Sequence, residues 1–192
     1  MASTRTRTGR SPAGAARTSP TPGANAVLSV DPKGKVRTVA VLPSVKAKVT
    51  AAVADGLGLP GCVVGKKVAL EPVPTDVEVG RDGFLYVTTL PGGPEDGSLG
   101  ALGAVHRVNP RTGTVKTLAS GFSGATGLAV APRGTIYVTE LFSGEVSKVD
   151  RRGKVSTLFR AESPAAIEYS RGKLVVSTKG FTEGTVVVAK AR

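Results

Sequence analysis

The stretch "PTDVEVGRDGFLYVTTL" at residues 74–90 returns fifty-one residues later as "ATGLAVAPRGTIYVTEL" at 125–141. A worn third copy, "AAIEYSRGKLVVST", follows at 165–178. Each copy reads as two short alternating strands around a glycine turn. Apolar side chains two residues apart share one face of a strand. Val77, Leu128 and Ile167 hold one place, and Val87, Val138 and Val176 another. Val79, Val130 and Tyr169 correspond, as do Leu85, Ile136 and Leu174. Gly83, Gly134 and Gly172 fill the turn, where a positive φ favours glycine.

A second phrase alternates with the first: "NAVLSVDPKGKVRTVAVL" at 25–42, "GAVHRVNPRTGTVKTLAS" at 103–120, "GEVSKVDRRGKVSTLF" at 144–159, and a half copy, "GTVVVAKA", at 184–191. Val27, Val105, Val146 and Val186 align. Asp31, Asn109 and Asp150 open the turns, because a short polar side chain bonds the backbone two residues on. One copy of each phrase makes a four-stranded antiparallel unit of about forty residues, the period of a β-propeller blade. The fold class read from the sequence is therefore all-β: a partial β-propeller of about 3.5 four-stranded blades. The divisions are a half-blade hairpin at 25–43, a linker at 44–73, blades at 74–123 and 124–162, and an incomplete last blade at 163–192. In the linker, Val45 to Ala54 is expected to form a short helix and 61–74 a loop with one strand.

Residues 1–24 hold no Val, Leu, Ile or Phe. Such a segment buries too little to offset its ordering entropy, so a disordered basic leader is expected, with order from Asn25. The leader lacks the apolar run of a secretory signal, and no stretch of the chain has the length and hydropathy of a membrane span. The single cysteine, Cys62, forms neither an intrachain disulfide nor a metal-ligand pattern. The net charge is +12. Residues 1–25 carry four arginines and no acid, and the rest of the excess is scattered at turns. No basic stripe interleaved with aromatics exists, so nucleic acid is not the expected partner.

The phrases "NAVLSVDPKGKV", "EPVPTDVEVGRDGFLYVTTLPGGPEDGSLGALGAVHRVNP", "LASGFSGATGLAVAP" and "GTIYVTELFSGEVSKVD" resemble the ScyD/ScyE family. That family lies within the NHL and SMP-30/gluconolactonase-like six-bladed propellers. The resemblance runs over about 25–192 and corresponds to a C-terminal half, so a truncated chain is expected, with self-association through open blade edges. It implies secretion, whereas the chain as written carries no signal and reads as cytoplasmic.

Propeller sites lie at the channel mouth beside the first strand of each blade. Thr75, Asp76 and Thr126 are the binding candidates there. The resemblance to gluconolactonases implies a divalent metal held by Glu, Asn and Asp. Only Asp76 supplies such a carboxylate here, with Glu71 and Glu78 as helpers, whereas a hard cation takes several oxygens. Glu140 interrupts a row otherwise held by Thr89 and Thr178. Glu95 and Asp96 sit on the tip of the insertion "PGGPEDGSLGAL", where loops on rigid scaffolds carry function. His106, the lone histidine, has no triad around it and reads as structural. No catalytic residue and no cofactor is assigned. The reading is a non-catalytic propeller that binds a protein or small molecule. A metal-dependent lactonase and a basic nucleic-acid binder are the alternatives.

Overall fold

A computed structural model describes residues 16–94 and 96–191. The first sheet is built from β1 (Arg17–Thr21), β2 (Ala26–Val30) and β3 (Val36–Val41), in that order. A hairpin excursion follows, with β4 (Val45–Lys48), the short helix α1 (Ala51–Gly56) and β5 (Lys67–Leu70). The first complete blade is β6 (Pro72–Val79), β7 (Leu85–Pro91), β8 (Gly103–Val108) and β9 (Val115–Phe122). The second is β10 (Ala125–Val130), β11 (Ile136–Glu140), β12 (Glu145–Val149) and β13 (Val155–Arg160). The last sheet holds β14 (Ala166–Ser170), β15 (Lys173–Thr178) and β16 (Thr185–Lys190). The architecture is all-β, with successive antiparallel sheets of a partial β-propeller.

The repeated positions become cross-strand partners. Val77 pairs with Val87, Leu128 with Val138, and Ile167 with Val176. All six are buried. They lie in three apolar layers, one between each pair of neighbouring sheets. Leu128 is fully buried in the middle layer beside Phe122 and Val138. Burying one such side chain contributes about 1.5–3 kcal/mol. No sheet buries both faces alone, so stability comes from stacking, as in other repeat architectures.

Two sequence expectations meet a different outcome. Residues 16–24 were expected to be disordered, yet Arg17–Thr21 forms β1 and pairs along its whole length with β2, Pro20 opposite Val27. Backbone ladder bonds need no apolar side chains, and a neighbouring strand supplies the partners. Residues 1–15 lie outside the described residues. β1 packs beside β6 as β7 packs beside β10 and β11 beside β14. It therefore takes the second-strand place of its blade. The expected helix from Val45 is instead β4, with Val45 opposite Leu70 and Ala47 opposite Val68. Its alternating "VKAK" suits a ladder, and the helix begins only after Thr50, whose Oγ1 accepts the Val53 N–H at 3.2 Å. Val49, Val53 and Ala54 bury against Val63 and Leu99, which ties this excursion to the 91–102 insertion. β3 pairs with β2 and forms the outer strand of the first sheet.

Outer turns seat on the sheet before them. A Cβ on Gly113 would stand 2.7 Å from the Val39 carbonyl oxygen, and one on Gly153 would stand 2.5 Å from that of Leu118. The matching Gly34 of the first sheet has no atom within 4 Å. The last sheet leaves its far face bare: Val186 is 67% exposed, whereas its equivalents Val105 and Val146 are fully buried.

Candidate functional site

The inner strands β6, β10 and β14 lie side by side and carry the predicted rim residues. Thr75 and Thr126 occupy equivalent β-bulges, because Pro74 and Asp76 face Thr89 and Thr88 while Ala125 and Gly127 face Glu140 and Thr139. A bulge re-aims the extra side chain. Here each threonine is turned toward the following sheet. Thr75 Oγ1 lies 2.9 Å from the Ala125 carbonyl oxygen and 3.0 Å from the Thr88 hydroxyl. Thr126 Oγ1 lies 3.1 Å from the Thr139 hydroxyl and 3.4 Å from the Pro164 carbonyl oxygen.

Asp76 is buried between sheets. Its Oδ1 accepts the Val77 N–H at 2.8 Å, and its Oδ2 accepts the Leu128 N–H of the next inner strand at 2.9 Å. The carboxylate thus bridges two blades through their backbones. These bonds use one lone pair of each oxygen, and a divalent ion would still need several further oxygen ligands beside Asp76. Among the described residues no three His, Cys, Asp or Glu side chains gather into a metal-ligand group. Glu71 is exposed, and Glu78 is buried on the same strand. The donor set does not fit the metal that the gluconolactonase resemblance implies.

Glu140 and His106 prove to be neighbours in kind. Glu140 is buried; it accepts the Ser123 N–H at 2.8 Å and the Ser147 hydroxyl. Ser147 faces Val138 as His106 faces Val87, and Glu140 stands where Thr89 does. In the earlier blade Thr89 Oγ1 sits 3.2 Å from His106 Nε2, and Thr117 Oγ1 sits 3.1 Å from Nδ1. Two adjacent blades therefore fill one core position with different polar pairs, Glu–Ser and Thr–His. Of the insertion residues, Asp96 is exposed, with Oδ1 accepting the Ser98 N–H at 2.9 Å, and Glu95 lies outside the described residues.

Burial lowers the His106 pKa from 6.5 to about 4. The folded chain keeps it neutral where the unfolded chain takes up a proton. The stability that this neutral burial supports is complete above pH 6.5 and is lost as pH falls toward 4. The full loss is about 3 kcal/mol. Urea unfolding across pH 7 to 4 checks this: His106→Gln flattens the slope in that window, and an unchanged slope contradicts it.

One rim residue passed unnoticed in the sequence. Glu168 on β14 is half-buried; burial first, and then the negative charge of Asp76, push its carboxyl above its ordinary value. Its place matches that of Glu78 and Ala129, opposite Val175, Tyr86 and Tyr137 respectively. The alignment of the three copies already puts Glu168 in the place of Glu78, but its nearness to Asp76 comes only from the stacking of the inner strands.

No family model matches the chain, and no match among curated proteins was found. Solved structures do match. A gluconolactonase from Xanthomonas campestris aligns over 92% of this chain and 55% of its own, at 18% identity and a TM-score of 0.61. A chain of a nidogen/laminin complex aligns over 87% and 55%, at 12% identity and a TM-score of 0.59. A calcium-binding protein, regucalcin, from Agrobacterium tumefaciens aligns over 95% and 70%, at 12% identity and a TM-score of 0.52. The chain spans about half the length of the first two. At such identities the likeness concerns the fold alone, a β-propeller.

Proposed function

We propose that this chain is a non-catalytic binding scaffold of the ScyD/ScyE type, which offers its loop-lined face to a protein or small molecule. The observation that carries this reading is the use of the rim itself. Thr75, Asp76, Thr126 and Glu140 bond to backbone or to neighbouring hydroxyls, and these bonds join strands and blades. A rim committed to holding sheets together has little left to activate water. The bare faces at Val36 and Val41 and at Val186 and Val188 support self-association as one form of partnership.

The second reading, a metal-dependent lactonase, is favoured by the shared fold and by the two inner-strand acids, Asp76 and Glu168, whose charges sense each other. One purified sample separates the two. Calcium titration by calorimetry, lactone hydrolysis and light scattering are read together. The scaffold reading expects no saturable calcium heat, no turnover and a mass above that of a single 19.4 kDa chain. Saturable calcium binding that Asp76→Ala abolishes, together with hydrolysis, overturns it. A single-chain mass at every concentration removes self-association.

A further inference from the structure

The tight turns joining first to second and third to fourth strands are separated in sequence but share one edge of every blade. The blades stack in one orientation, so the turn arginines converge. Between the 80–84 and 131–135 turns lies a cleft of about 340 Å³, lined by Arg81, Arg133 and Arg151 with Asp82 and Tyr86. Arg151 reaches in from the 150–154 turn, and its Nε donates to the Arg133 carbonyl oxygen at 2.6 Å. That bond holds the arginine across the cleft while its terminal nitrogens keep their donors.

The lining acid is already engaged. Asp82 Oδ2 accepts the Tyr86 hydroxyl and the Arg107 Nη2, both at 2.9 Å, and its Oδ1 accepts the Phe84 N–H. Burial alone would raise the Asp82 pKa, but bonds to Arg107, Tyr86 and the Phe84 amide outweigh it and hold it low. Arg107 is also stacked on the Phe84 ring, 3.3 Å from its centroid. The Asp82–Arg107 pair therefore balances itself, and three guanidinium groups remain around the cleft. Asp150 at its border faces its own turn, accepting the Arg152 and Lys154 amides.

We propose that this cleft binds the phosphate group of a small molecule, with Arg81, Arg133 and Arg151 as its ligands. Guanidinium forks match phosphate oxygens in pairs, and three of them suit a dianion better than a single carboxylate. The size lies at the small end of ligand clefts. The site is on the turn edge of the blades and does not depend on the reading of the rim.

Inorganic pyrophosphate is the probe, titrated calorimetrically into the full chain at fixed ionic strength. Saturable binding is expected, weakened at least about tenfold by the double substitution Arg81→Gln and Arg133→Gln. The ligand-free variant should unfold at the wild-type urea midpoint, since neither guanidinium makes a structural bond described above. Absence of saturable heat overturns the proposal, and so does equal affinity in the variant. A short DNA duplex forms the second arm. If it binds with steep salt dependence, equally in both proteins, and pyrophosphate does not saturate, the cleft is only part of a general polyanion attraction and the proposal fails.

Discussion

Asp76→Ala lowers the free energy of unfolding by about 3 kcal/mol, and by the same amount with or without a chelator. The substitution strands two buried donors, the Val77 and Leu128 amides, each of which loses a charged acceptor. Such a loss costs about 1–3 kcal/mol per donor. Asp76→Asn does not restore it, because one amide oxygen serves only one of the two N–H groups and the NH₂ meets the other. Urea unfolding with and without EDTA makes the measurement. A cost that appears only when calcium is present would make Asp76 a metal ligand and not a strut between blades.

Gly153→Ala carries the second large effect, again about 3 kcal/mol. Its φ of +83° disfavours a side chain, and the new Cβ would press on the Leu118 carbonyl of the preceding sheet. Gly34 has the same φ of +83° and open space around it, so Gly34→Ala costs only the backbone strain, about 1 kcal/mol. The pair of variants separates strain from contact at equivalent turns. Equal costs would mean either that Gly153 relaxes without penalty or that a further blade, from a second copy, covers Gly34. The mass in solution distinguishes the two.

The cross-strand pairs were legible because a hairpin is local. Alternation sets the faces, the turn sets the register, and Val77 meets Val87 for both reasons. The same logic placed Leu128 opposite Val138 without knowledge of any neighbour. β1 was not legible. "RTSPT" has no apolar residue, and what makes it a strand is the ladder offered by β2. "VKAK" was read as helix because its partner lies twenty residues on, beyond the reach of a local pattern.

The candidate rim shows the same division. Asp76, Thr75 and Thr126 were singled out by their place at strand starts, but a carboxylate in a sequence does not state what it will accept. The partners, a donor N–H for Asp76 and an acceptor carbonyl for Thr75, were decided by the approach of β10 to β6, about fifty residues apart. Glu140 and His106 look like unrelated irregularities along the chain, and the cross-strand pairing shows them as members of two equivalent polar pairs, Glu140 with Ser147 and Thr89 with His106. Charge gives the clearest case. Read along the chain, the arginines are scattered over separate turns. The sequence by itself determined the repeat, the hairpins and their buried faces, because these follow from period and turn chemistry over a dozen residues. Only the stacking of blades decided that Arg81, Arg133 and Arg151 share one cleft, because it sets the 80–84 turn of one blade against the 131–135 and 150–154 turns of the next.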